Sequence, residues 1–340
     1  LSTKSPNMNI IIYYTVINII STMVLLLAIA IIYGITGSLH YIEIANQFQL
    51  HQSEALIKPA LSLLLFALGL KAALFPLYCW LPKSYPSTSY TATLLLSCLV
   101  TKTILIVLLR LFIHWYPLQS EWFTHLYIII ACATMFFGVM GAANQFYLRK
   151  ILSLHIISQL GYILLAIIIP GTLSIIPMLY FLIHNIVVKT HLFMLSGCIE
   201  QQYGTDSLHV LGDLRANHQF ITWSFFISAM SLAGMPPLSG FWAKLLVIQA
   251  TIQSGYLFST MIAIIVSIFT LYSMIKIWRY VFCDRPSTDS SAVILVQDRM
   301  PNTQILATLP LILIPLIFSL FPDSLLIPLD SISTQLSTRN

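Results

Sequence analysis

Nine apolar runs, each long enough to cross a membrane as a helix, decide what this chain can fold into. They lie at 9–34, 57–80, 88–113, 122–142, 151–170, 173–197, 217–252, 256–281 and 303–322. A helix rising about 1.5 Å per residue through a hydrocarbon core about 30 Å thick needs about 20 predominantly apolar residues. Only 8% of the 340 residues are charged, against roughly 25% in an average soluble domain. That leaves too little polar side chain to coat a globule in water, so the apolar excess faces a lipid bilayer. The runs predict an all-α polytopic membrane protein with about nine transmembrane helices. The seventh run is too long for one straight span, and Gly234-Met235-Pro236-Pro237-Leu238-Ser239-Gly240 interrupts it. Proline lacks a backbone donor and clashes with the preceding turn, so a broken helix is expected near 234–240, with Pro236 and Pro237 at the break.

Several function classes are disfavoured at once. The net charge of +5 is small and its basic residues form no patch, so nucleic-acid binding has no electrostatic footprint. Cys79, Cys98, Cys132, Cys198 and Cys283 are scattered without metal-ligand spacing; they read as small hydrophobes, with no disulfide framework, metal or cofactor. No loop is long enough for a nucleotide-binding or catalytic domain. The segment LSTKSPNMN leads into the first run without a small-residue cleavage site, so that run reads as a spanning helix. The chain starts at Leu1 rather than methionine, which points to a fragment or a non-standard start. With alternating loops, one side receives Lys4, Lys83, Arg149, Lys150, Arg215, Arg279, Arg285 and Arg299, the other Lys58, Arg110 and Arg339. Basic residues favour the cytoplasmic side, so the N-terminus is expected there and the C-terminus outside.

The polar residues inside the runs carry the functional signal. A lysine at the bilayer centre costs about 2.5–3.5 kcal/mol on insertion scales, yet Lys71, Lys102, Lys189 and Lys244 fall within predicted spans. Snorkelling accounts for Lys58 and Lys276, near span ends. It reaches poorly from Lys71 and Lys102, which sit near mid-membrane. His155 and Gln159 share one helical face, as do Asn185 and Lys189, with His184 beside the second pair. A single buried histidine is more often structural than chemical. Together with the lysines, these form a candidate polar string able to take up and release protons. None of the acidic residues, from Glu43, Glu54, Glu121 and Glu200 to the seven aspartates, reads as lying inside a span. Carboxylates to pair with the lysines would have to come from partner subunits or from helices missing from this chain.

Three stretches carry a resemblance. They are Gly69-Leu70-Lys71-Ala72-Ala73-Leu74-Phe75-Pro76-Leu77-Tyr78-Cys79-Trp80-Leu81-Pro82 with Ser84-Tyr85-Pro86, then Arg149-Lys150-Ile151-Leu152-Ser153-Leu154-His155 through Ser158-Gln159-Leu160-Gly161-Tyr162, and Ser231-Leu232-Ala233-Gly234-Met235-Pro236-Pro237 through Lys244. In this order they resemble the signature of antiporter-like membrane subunits, found in Mrp-type multisubunit cation/proton antiporters and in respiratory complex I. The wording at 80–86, Thr101-Lys102, and Tyr33-Gly34-Ile35-Thr36-Gly37-Ser38-Leu39 are most like the D-type subunit of the Mrp antiporters.

The resemblance implies helices six to fourteen of a fourteen-helix fold built from two inverted five-helix repeats, with the first five helices missing. Residues 1–113 would be a remnant of the first repeat, 114–282 the complete second repeat, and 283–340 a loop, final helix and tail. Lys71 matches the lysine of the first broken helix, interrupted at Pro76, Lys102 the linking lysine, and Lys244 the lysine of the second broken helix. Arg149, His155, His184 and Lys189 lie between them, with Gln159 and Asn185 in support. Lys83 stands where aspartate is frequent, and Asn185 where histidine is common. The function implied is a sodium or other monovalent cation/proton antiporter subunit, multi-pass in a bacterial inner membrane, working with other subunits of the complex. The alternatives are a proton-pumping subunit of NADH–quinone oxidoreductase or a related hydrogenase, and a non-functional remnant.

Overall fold

A computed structural model describes residues 8–50, 56–115, 121–169, 171–284 and 302–338. Lys4, Glu54, Arg285, Asp289, Asp298, Arg299 and Arg339, on which part of the charge reading rests, lie outside the described residues.

The chain folds as helices, with no strand among the described residues. A long first helix, α1 (Met8–Thr36), is followed by α2 (Tyr41–Leu50) and α3 (Ile57–Ala72). Beyond α3 come a 3-10 turn (Leu77–Trp80), the short α4 (Leu81–Ser84), a second 3-10 turn (Tyr85–Ser87) and α5 (Tyr90–Leu95). A π-helical turn at Leu96–Val100 joins α5 to α6 (Thr101–Trp115). Then follow α7 (Glu121–Ala143), α8 (Leu148–Ile168), α9 (Ile175–Tyr203), α10 (Leu214–Asn217), α11 (Gln219–Ala233) and α12 (Ser239–Gln253). α13 (Leu257–Trp278) runs into another π turn, and α14 (Asn302–Leu320) and α15 (Asp323–Thr338) end the described chain.

Seven segments among the described residues are long and apolar enough to cross a membrane. The pair Thr308–Leu320 and Asp323–Gln335, bent by 80°, brings the number to eight when taken as one. The count differs from the nine apolar runs because the run at 217–252 divides into α11 and α12, 15 residues each and too short to cross alone. Several acidic placements differ from the sequence reading: Glu43 lies in the first turn of α2 and Glu121 in that of α7. Glu200 lies in the last turns of α9, which continues past the apolar run to Tyr203. Asp323 and Asp330 belong to α15, in place of the expected tail.

Both discontinuities follow from local chemistry. α3 ends where Ala73 adopts a left-handed φ of 58°, its N–H and that of Leu74 turning back to Leu70 and Gly69. Pro76 lies three residues beyond and offers no N–H to continue the ladder. α11 ends at Gly234, with φ of 89° and its N–H on the carbonyls of Met230 and Ser231, ahead of Pro236 and Pro237. A left-handed residue followed by proline is a strong helix stop.

The centre of the bundle is α8, in which every residue except Lys150 is buried. It packs against α7 through glycines. A Cβ on Gly138 would lie 2.5 Å from the Ser158 nitrogen, and one on Gly161 would lie 2.7 Å from the Met135 nitrogen. Small residues let membrane helices approach this closely, where apolar burial alone gives no drive. On the periphery, Met261, Ile264, Ile268, Tyr272 and Ile275 form an exposed apolar stripe along α13 at helical spacing, the surface expected against lipid.

Candidate proton-relay site

The second discontinuity organises the polar centre. α12 returns beside α11 so closely that a Cβ on Gly240 would lie 1.7 Å from the Ser231 carbonyl oxygen. Lys244, one turn further along α12, reaches back across the break. Its Nζ donates to the Ala233 carbonyl at 2.7 Å and lies 5.3 Å from the centre of the Tyr162 ring. The last carbonyls of a helix have no partner within it and carry the negative end of its dipole. α11 thus offers an ammonium a site inside the bilayer, and the ring face adds a second favourable surface. Tyr162 is fixed by hydrogen bonds to the Ala263 carbonyl and the Ser267 hydroxyl, and it stacks on Phe181.

Two histidines flank this lysine. His184 Nδ1 lies 3.0 Å from the Ser239 hydroxyl, which is 3.2 Å from that of Ser231, so one histidine bridges both half-helices. His155 Nε2 lies 2.6 Å from Ser273 Oγ, and that hydroxyl donates to the Thr270 carbonyl. With its proton committed there, Ser273 accepts from Nε2–H, which leaves His155 Nδ1 as the acceptor nitrogen. That nitrogen is buried without a partner among the described residues, as are Ser158 Oγ, Gln159 Nε2 and Asn185 Nδ2.

Lys189 is fully buried and donates to the Leu152 carbonyl at 3.2 Å. The Leu152 carbonyl lies one turn before His155 on α8, so Lys189 of α9 meets the helix that carries that histidine. Lys102 is 2% exposed and donates to the Ser97 carbonyl in the π turn preceding α6. A π turn loosens the regular ladder and frees carbonyls for other donors. The same turn meets α9 beside Lys189, through Cys98 and Thr190.

The structure therefore places Lys102, Lys189, His155, His184 and Lys244 on helices α6, α8, α9 and α12, which pack on one another, with Gln159 on α8 and Asn185 on α9. Lys71 stands apart: at the end of α3 it is partly buried and donates to Thr22 Oγ1 on α1 at 2.9 Å. Among the described residues no carboxylate pairs with any of these lysines. Arg149 has another position and another task. Its guanidinium meets Glu200 at 3.1 Å and donates to the carbonyls of Tyr85 and Thr88 and to Thr93 Oγ1. It ties α8 and α9 to the segment that follows the first break.

Sequence reasoning misses Glu200, Tyr162, Ser239, Ser273 and His191. His191 is fully buried on α9 with Nδ1 2.6 Å from Ser228 Oγ. The one signal for it is a second histidine two residues beyond Lys189. No cluster of three or more His, Cys, Asp or Glu among the described residues is able to hold a metal ion.

The chain is 38% identical over 271 residues to the D-type subunit of the Na(+)/H(+) antiporter of Alkalihalophilus pseudofirmus, covering 79% of this chain and 55% of the relative. It is 35% identical over 270 residues to the equally named protein of Bacillus subtilis. It thus spans about half the length of the curated relatives it matches, with 55% of each covered. Among solved structures, a chain of the Mrp complex from Dietzia sp. DQ12-45-1b superposes with a TM-score of 0.85 at 30% identity, covering 95% of this chain and 67% of that one. A chain of respiratory complex I from Thermus thermophilus shares the fold, with a TM-score of 0.75 at 22% identity, covering 94% of this chain and 68% of that one. The family model described as NADH:quinone oxidoreductase/Mrp antiporter, TM matches residues 3–270, and the chain belongs to that family of membrane subunits.

Proposed function

We propose that this chain is a D-type subunit of a multisubunit sodium or other monovalent cation/proton antiporter. In this reading protons move along Lys102, Lys189, His155, His184 and Lys244, with Lys71 and Thr22 belonging to the first, separate half of the path. The observation that carries it is Lys244 Nζ on the Ala233 carbonyl at the helix break, on the helix whose Ser239 meets the buried His184. An ammonium held by a carbonyl rather than a carboxylate can lose its proton without leaving an unpaired anion behind. The sequence relatives named for Na(+)/H(+) antiport, at 38% and 35% identity, favour this reading over the complex I alternative, whose likeness is one of fold.

The same reading divides the chain into 1–113, 114–282 and 283–340 as part of a first repeat, a second repeat and a C-terminal segment. It sets the chain in a bacterial inner membrane, with the face bearing Arg149, Lys150 and Arg215 cytoplasmic. The test expresses the chain with its partner subunits in cells lacking other sodium/proton antiporters. Sodium-driven collapse of a pH gradient is then followed in everted vesicles. Replacing Lys102, Lys189 or Lys244 by methionine is expected to slow exchange about a hundredfold or more, the scale on which positioned proton-transfer groups act. Exchange at the unsubstituted rate in all three variants would overturn the proposal.

A further inference from the structure

The seam between α9 and α11 is polar along its length, and most of it plays no part in the string of lysines. On α9, His184, His191 and Cys198 follow one another at intervals of seven, and Gln202 lies four further on. At about 3.6 residues per turn all four lie on one face. On α11, Ser224, Ser228 and Ser231 form a second stripe at intervals of four and three, and all seven residues are buried. Two contacts join the stripes. His184 reaches Ser231 through Ser239, and His191 Nδ1 lies 2.6 Å from Ser228 Oγ. His191 Nε2 and both polar atoms of the Gln202 amide are buried without partners among the described residues.

Two membrane helices packed only for stability meet through small residues and through polar side chains that bond across the seam, with each polar group satisfied. This seam instead leaves an imidazole nitrogen and both polar atoms of an amide buried and unpaired among the described residues, beside a row of hydroxyls. It begins at the second helix break beside Lys244. It ends at Gln202, one residue before α9 stops, on the face where Arg215 is exposed.

We propose that His191, with Ser224, Ser228 and Gln202, forms a proton-conducting branch between α9 and α11 that links the second helix break to the membrane face where α9 ends. The ring binds a proton at one nitrogen and releases one from the other, returning to its neutral state, while the hydroxyls and the amide hold water along the way. That protons are the cargo rests on the antiporter reading; that the seam is hydrated does not.

The experiment separates the two. Ser228→Cys is placed in the full chain with its five native cysteines replaced, expressed with the partner subunits. Vesicles of each orientation are then treated with a water-soluble maleimide. Labelling of Ser228→Cys from the face where α9 ends is expected, with Ile163→Cys, buried in α8, remaining unlabelled. An unlabelled Ser228→Cys, when Arg215→Cys on the same face reacts, would overturn the path. In transport, His191→Gln keeps a hydrogen bond to Ser228 but cannot pass a proton through the side chain, and is expected to slow exchange several-fold. Full exchange by His191→Gln would overturn the role of the ring. If the unsubstituted complex exchanges nothing, the antiporter reading fails, and the labelling result alone then supports or overturns the path.

Discussion

Lys244 and Ala233 face each other across the second helix break, the ammonium of one held at 2.7 Å by the carbonyl of the other. The contact puts a charge at the point where the helix would otherwise end in a bare acceptor. It also fixes what loss of the charge does. Burying a lysine in the bilayer costs about 2.5–3.5 kcal/mol by insertion scales, so Lys244→Met removes a cost along with a bond. The purified variant is expected to melt within a few degrees of the unsubstituted protein, while vesicles carrying it lose exchange. Lys244→Arg is expected to lose exchange as well, since a guanidinium holds its proton at any working pH. Retained exchange in Lys244→Arg would show that this side chain need not release its proton.

Arg149 is expected to behave in the opposite way. Its guanidinium holds Glu200 together with two carbonyls and a hydroxyl from the segment 85–93, and its side chain is 6% exposed. Removing one partner of a buried ion pair costs about 3–5 kcal/mol. Arg149→Ala should therefore lower the melting temperature clearly and loosen the segment after the first break. Arg149→Lys should restore little, because a single ammonium cannot reach acceptors arranged for a planar fork. A double-mutant cycle with Glu200→Gln measures the share belonging to the ion pair. Additive effects would mean that the two carbonyls and the Thr93 hydroxyl carry the whole contribution.

These two sites show what is legible before the fold is seen. Lys244, Lys102 and Lys189 stand out because each violates the apolar pattern around it, and a local violation is visible in one dimension. The partner of Arg149 is not visible in that way, since Glu200 is 51 positions away. It also follows the end of an apolar run, where a carboxylate is ordinary. Ser273 and Ser239 escape notice for a related reason: serine is common in membrane helices, and only the facing histidine gives it a task. α15 reads as a tail because its mixture of Asp323, Ser324, Pro328 and Asp330 lacks the apolar continuity of a span. The meeting of α9 with the segment before α6, Cys98 against Thr190, depends on the π turn at Leu96–Val100, and no residue pattern announces it.

Lys276 separates a structural lysine from a transporting one. Its ammonium donates to the carbonyls of Ala143 and Gln145, at 2.8 and 2.6 Å, and lies 3.7 Å from the centre of the Phe146 ring. Those acceptors close α7 and the turn into α8, so the side chain acts as a C-terminal cap supplied by α13. Lys276→Met is expected to speed amide hydrogen exchange in residues 143–148 while sodium-driven proton exchange continues. Loss of transport with unchanged amide protection would place Lys276 in the path instead.

Gly240 is where packing and chemistry meet most tightly. A methyl group there would lie 1.7 Å from the Ser231 oxygen, 2.8 Å from its carbonyl carbon and 3.1 Å from His184 Cε1. Two of these atoms are backbone, so no rotamer change relieves the clash, and α11 and α12 must move apart. Overpacking in a core usually costs about 1–3 kcal/mol, and a backbone overlap this deep lies at or beyond the top of that range. Gly240→Ala should therefore reduce folded protein and, in whatever folds, separate Ser231 from Ser239 and move His184. The control is Gly34→Ala on α1, whose added methyl meets nothing within 4 Å and should stabilise the helix by about 0.5–1 kcal/mol. Thermal melting of both variants in detergent, with exchange measured on the fraction that folds, tests the geometry. Equal melting temperatures for the two would mean that α11 and α12 do not approach each other this closely.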